Sequence, residues 1–127
     1  MIEYLGQVSR AEVNCLYGES RVGVILYQPE ENHVSSQPNK LFEYMAAGLP
    51  VLASDFPLWK EMVEENDCGI CVPPADVSAV RRALVELLHS PELCSRMGLA
   101  GRRAVEELYN WDTEKAKLIE LYESVLD

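Results

Sequence analysis

Asn39, Lys40 and Glu43 are the residues of this chain whose types and spacing best fit the capture of a sugar phosphate. Asn39 and Glu43 are four apart and would share one face of a helix, with Lys40 a turn before Glu43 on an adjoining line. A carboxylate that accepts two hydrogen bonds from vicinal hydroxyls can hold a ribose. A lysine in the first turn adds a full positive charge to the unpaired N–H groups and positive dipole end of a helix start, which suits a phosphate. Spacing alone fits a solvated Lys–Glu pair, worth about 0.2–0.5 kcal/mol, better than a ligand site. Just upstream, residues 29–37 are polar and unpatterned, a candidate functional loop that carries Asn32, His33, Ser35 and Ser36.

Other chemistry-bearing residues fit bland roles better. Cys68-Gly69-Ile70-Cys71 has metal or redox spacing, but tetrahedral zinc needs four ligands, and Cys15 and Cys94 form no matching pair. A redox motif of that kind would open a helix, whereas these cysteines flank a strand that ends in Pro73-Pro74. They are expected to be small, reduced, buried residues. His33 has no nucleophile motif beside it, and His89 ends a helix, where its charge would favour the dipole. Arg81, Arg82, Arg96, Arg102 and Arg103 are interleaved with Glu86, Glu92, Glu106 and Glu107, the pattern of a solvated helical surface.

Alternating short apolar runs and helical patterns predict an α/β fold with a mainly parallel sheet. Residues 2–5 read as a brief strand. Ser9 and Glu12 form a capping box that opens a helix to about Glu19. Residues 22–27 read as a strand covered on both faces, because Val-Gly-Val-Ile-Leu-Tyr is nearly all apolar. A helix over 38–47 should end at Gly48, with Pro50 preventing its continuation. A strand over 51–54, a helix over 56–65 and a strand over 70–72 follow. Three helices close the chain, over 77–89, 91–109 and 111–126, the second capped by Ser90 with Pro91 at its first position.

The 127 residues suffice for one domain, and 48% apolar with 25% charged residues is ordinary for a globular chain. Twenty-one acidic against eleven basic residues give a net charge of −10, which argues against broad nucleic-acid or anionic-membrane binding. No apolar run approaches the roughly 20 residues of a membrane-spanning helix, and the first residues do not resemble a secretory signal, so a cytoplasmic location is expected.

Residues 38–50, Pro-Asn-Lys-Leu-Phe-Glu-Tyr-Met-Ala-Ala-Gly-Leu-Pro, followed by Val51-Leu52-Ala53-Ser54-Asp55 and later Gly69-x-x-Val72-x-Pro74-x-Asp76, resemble the C-terminal half of a GT-B glycosyltransferase of family 4, or group 1. The likeness is strongest to bacterial members that build capsular, O-antigen or exopolysaccharide chains, and it extends from Leu5-Gly6-Gln7-Val8-Ser9 to the terminal helix with Trp111 and Tyr122. It implies a Rossmann-like parallel sheet and a metal-independent retaining transfer of sugar from a nucleotide-diphosphate donor to a glycan or lipid-linked acceptor, with no cofactor. The second Glu of the family's E-x7-E motif binds the donor ribose, a role that falls by position on Glu43. Lys40 and Asn39 would then face the donor phosphate. The first motif Glu, which helps hold the donor sugar, is replaced by Ser35, so Asn32, Ser35, Ser36 and backbone groups would have to substitute or sugar recognition would differ. The turn Gly6-Gln7-Val8 matches the family's turn beside the nucleobase.

By the same resemblance the complete domain has six strands in the order 3-2-1-4-5-6, and this chain would carry the last four, in residues 1–75, before a helical segment, 76–127. The missing neighbours should leave residues 22–27 as an apolar sheet edge, with residues 2–5 rearranged or the edge paired to a second copy. The acceptor-binding N-terminal domain and the basic pair that grips the donor pyrophosphate would lie outside the chain, so turnover by this portion alone is not expected. The intact enzyme could work at the inner face of the membrane. Two other functions stay open: another GT-B-like enzyme, such as a sugar-nucleotide epimerase, and a non-catalytic interaction module.

Overall fold

A computed structural model describes residues 1–126. Helix α1 (Arg10–Glu19) leads into strand β1 (Gly23–Ile25), followed by the single turn α2 (Glu31–Val34) and helix α3 (Asn39–Ala46). Strand β2 (Val51–Ser54), helix α4 (Pro57–Glu64) and strand β3 (Gly69–Val72) complete the sheet, and α5 (Val77–His89), α6 (Pro91–Glu107) and α7 (Trp111–Leu126) close the chain. The sheet is parallel, in the order β1-β2-β3, with Gly23 opposite Val51 and Val51 opposite Gly69.

All four residues of β2 are buried, and the period-2 alternation of a strand divides them between two cores. Val51 and Ala53 join Leu41, Met45, Trp59, Val63 and Cys68 on one face. Leu52 joins Val72, Ala83, Leu87 and Met97 on the other. Helix α6 crosses the end of α3 so closely that a Cβ on Gly98 would overlap the carbonyl oxygen of Gly48. Gly48 has φ +74°, a left-handed conformation that ends α3 cheaply only because the residue is glycine.

Three sequence expectations need correction. Residues 2–5 form no strand; Ile2 and Tyr4 are almost fully exposed, because the sheet offers them no neighbour to pair with. The sheet therefore has three strands rather than four. Strand β1 is shorter than 22–27 and is not covered on both faces, since Val24 is 44% exposed between buried Gly23 and Ile25. The stretch 29–37 is not wholly irregular, because α2 takes up part of it.

The capping box is present in full: the Glu12 amide donates to Ser9 Oγ at 3.3 Å, and the Ser9 amide donates to Glu12 Oε2 at 2.6 Å. Even so, α1 and α7 bury none of their residues. Helix α7 exposes Leu118, Ile119, Leu121, Tyr122, Val125 and Leu126. Among the described residues, no helix is long and apolar enough to cross a membrane.

Candidate functional site

Because β1 and β2 run parallel, the intervening helix α3 must begin at the carboxyl edge of the sheet and return to its opposite edge. Pro38 precedes it in extended conformation and no side chain caps it; Asn39 and Lys40 occupy its first turn, in which the Leu41 amide donates to the Pro38 carbonyl at 3.1 Å. Leu41 and Met45 are fully buried, which anchors one side of α3. Glu43 lies about 200° around the helix from Leu41 and so faces the other way, toward α1.

Two residues of α1 meet Glu43 there. Arg10 Nη1 donates to Oε1 at 2.9 Å, and the Tyr17 hydroxyl donates to Oε2 at 2.6 Å. The Tyr17 bond, with help from Arg10, holds the Glu43 carboxyl below its ordinary value. Burial, followed by the bond to Glu43, pushes the Tyr17 phenol up to about 12. Tyr17 packs edge-on against Tyr44 with ring centroids 5.7 Å apart, and the Tyr44 hydroxyl donates to the Val24 carbonyl at 3.3 Å. A cleft of about 550 Å³ between α1, α3 and α6 is lined by Arg10, Asn14, Tyr17, Phe42, Glu43 and Ala46, among others.

The candidate residues thus separate into groups. Glu43 lines the cleft, but the cleft runs along the flank of α3 toward Ala46 and Ala47, while Asn39 and Lys40 sit at the helix start, outside its lining. The ion-pair partner of Glu43 is Arg10 rather than Lys40, which adds only a weaker favourable field. Ser35 and Ser36 do not reach Glu43: Ser35 Oγ donates to the Glu31 carbonyl at 3.1 Å and Ser36 Oγ to the His33 carbonyl at 2.9 Å. The Ser36 carbonyl accepts from buried Trp59 Nε1 at 2.7 Å, which ties this turn to the core. Asn32 lies in α2 and is exposed. His33 packs at a tilt against Tyr27 with centroids 4.9 Å apart, and its Nδ1 lies 3.1 Å from the Gln28 carbonyl. The turn Gly6-Gln7-Val8 ends two residues before Arg10, so its chain leads directly to the group that holds Glu43; Gly6 has φ +68°.

Arg10, Asn14 and Tyr17 are polar residues of the cleft that the sequence did not single out. Their i, i+4, i+7 spacing is the available signal: a cation, an amide and a phenol along one stripe of α1. The cysteine pair behaves as expected at Cys68, which is fully buried, while Cys71 is partly exposed. Burial raises both thiols, to about 11 and about 12, which disfavours thiolate chemistry. Among the described residues, no group of three or more His, Cys, Asp or Glu side chains could hold a metal ion.

Residues 1–90 match the family described as "Glycosyl transferases group 1", and the chain belongs to that family. It is a GT-B-type α/β domain related to nucleotide-sugar-dependent mannosyltransferases. It is 38% identical over 85 residues to a phosphatidyl-myo-inositol mannosyltransferase of Mycobacterium leprae, a match covering 67% of this chain and 22% of that protein. It is 35% identical, also over 85 residues, to an MMP alpha-(1->4)-mannosyltransferase of Mycolicibacterium hassiacum, covering 66% and 21%. Among solved structures, sucrose-phosphate synthase from Thermosynechococcus elongatus superposes with a TM-score of 0.76 at 26% identity, over 98% of this chain and 30% of that one. The chain spans about a fifth of the length of the curated relatives it matches.

Proposed function

We propose that residues 1–127 are the donor-binding portion of a retaining glycosyltransferase that moves a sugar from a nucleotide-diphosphate donor to a glycan or lipid-linked acceptor in surface polysaccharide synthesis. Residues 1–75 supply the βα units of the donor domain and 76–127 its helical segment. In this reading Glu43 accepts the ribose hydroxyls, and Lys40, Asn39 and the backbone donors of the α3 start face the diphosphate. The Gly6-Gln7-Val8 turn borders the base. Asn32, Ser35 and Ser36 lie nearest the donor sugar, although both serine hydroxyls would have to leave their α2 carbonyls to touch it.

The observation that carries the reading is Glu43 itself, a carboxylate kept charged on the wall of a cleft, one turn from an uncapped helix start. GDP-mannose is the first donor to test, because a further relative, 40% identical over 76 residues, is a GDP-mannose-dependent alpha-(1-6)-phosphatidylinositol monomannoside mannosyltransferase of Mycobacterium tuberculosis. The chemical task is electrostatic: a leaving diphosphate gains negative charge as the sugar carbon develops oxocarbenium character, and oriented N–H groups with a lysine stabilise that charge. Metal is not required by this division of labour. The sugar acceptor, the second half of the cleft and the remaining diphosphate cations belong to a partner N-terminal domain, and the whole enzyme works at the inner, cytoplasmic face of the membrane.

Calorimetric titration of the chain with GDP, UDP and ADP, and with GDP-mannose, tests the proposal. One nucleotide should bind, with Lys40→Ala and Glu43→Ala each weakening it. Equal affinity of wild type and both variants for every nucleotide would overturn the assignment.

A further inference from the structure

The two carboxylate oxygens of Glu43 are held by different residues of α1, Oε1 by Arg10 and Oε2 by Tyr17. An ionised carboxyl group offers about four lone-pair sites, so roughly two acceptor positions stay open. The Glu43 side chain is 29% exposed, which gives those positions access to the cleft. Two open acceptors match the two donors of a vicinal diol. Tyr17 is itself fixed, edge-on against Tyr44, whose hydroxyl is bonded to the backbone of β1. A continuous line of contacts therefore runs from the sheet through two aromatic rings to one carboxylate oxygen.

We propose that Tyr17 and Arg10 are positioning residues that orient the Glu43 carboxylate so that its remaining lone pairs meet the two hydroxyls of a nucleotide ribose, an inference that rests on the ribose role given to Glu43 above. In this arrangement the ribose hydroxyls bond to Glu43 rather than to either residue, although both line the cleft. The charged and titratable groups around Glu43 are Arg10 and Tyr17 from α1, and Lys40 and Tyr44 from its own helix. Of these, the Tyr17 hydrogen bond does most to keep the carboxyl below its ordinary value. The opposite geometry has the opposite consequence: if Tyr17 and Arg10 occupied the positions the ribose needs, they would be a lock, and removing either would strengthen binding.

Tyr17→Phe separates the two cases, because it keeps the ring against Tyr44 and removes only the hydroxyl. Two measurements on the 127-residue chain decide. The first is the titration of the Glu43 carboxyl by carbon NMR, which needs no ligand; it should move to higher pH in Tyr17→Phe. The second is calorimetry with GDP and UDP and their 2′,3′-dideoxy forms. The ribonucleotide should bind roughly fivefold more weakly in Tyr17→Phe, with the acid limit of binding moved up in pH and the dideoxy form unaffected. An unchanged Glu43 titration, or tighter ribonucleotide binding, overturns the positioning roles. Glu43→Gln keeps the two failures apart. If that variant binds like wild type, the ribose reading itself has failed; if it is impaired while Tyr17→Phe is not, only the positioning roles have.

Discussion

The two flanks of α3 are built on different principles. On one, Leu41 and Met45 are fully buried against the sheet and α6, in the same core as Trp59 and Val63. On the other, Glu43 faces a helix that buries nothing and is joined to it by two hydrogen bonds and an edge-on pair of tyrosines. One flank holds the fold, and the other can change partners without unfolding it. Burial scales with apolar area, while exposed polar contacts are nearly balanced by water, so the two flanks should differ several-fold in what a single substitution costs.

The largest effect is expected at Trp59. It is fully buried and bonded through Nε1 to the Ser36 carbonyl, so Trp59→Ala should lower stability by about 3–5 kcal/mol in urea unfolding. Gly98→Ala should follow, at about 1–3 kcal/mol, because its Cβ would press on the Gly48 carbonyl and force α6 away from α3. On the other flank, Ser9→Ala removes a cap worth about 1 kcal/mol, but the loss should appear as faster amide exchange within α1 and leave the global unfolding midpoint nearly unchanged.

Acid should act on that same flank. The folded Glu43 carboxyl lies below its ordinary value of 4.5, so its contribution is complete above 4.5 and fades as pH falls through the lowered value. The Tyr17 phenol, raised from 10 to about 12, has the mirror behaviour: its contribution is complete below 10 and is lost as pH rises through about 12. Protection of α1 amides should therefore decline at both extremes while the Leu41 flank stays protected; uniform loss over both flanks would erase the distinction. The smallest effect belongs to Arg96, whose bond to Asp67 at 2.8 Å is exposed at both ends. Arg96→Ala should change stability by no more than about 0.5 kcal/mol.

The same contrast explains how much could be read from the sequence. The α1 capping box, Ser90 as a helix cap and Pro91 at the start of α6 are local signals, and both helices begin where those residues place them. The strand over 51–54 is equally legible, since an apolar run bounded by Pro50 and Asp55 fixes both its ends. Residues 2–5 have suitable strand composition, but a strand needs a neighbour, and composition does not say whether one is present. Val24 illustrates the same point, an apolar residue in a strand whose outer face has no cover here. At the site, Glu43 could be singled out from its motif. Arg10 and Tyr17 share a helical stripe, but nothing local ties that stripe to Glu43, which they reach across 33 and 26 positions of sequence.

The most direct test of the central claim is a comparison of one ribonucleoside diphosphate, chosen from GDP, UDP and ADP by its binding to wild type, with its 2′,3′-dideoxy form. Hydrogen bonds to a charged acceptor should make wild type prefer the ribonucleotide by on the order of tenfold or more, and Glu43→Gln should bind both forms about equally. A preference that survives undiminished in Glu43→Gln would show that the ribose is held elsewhere.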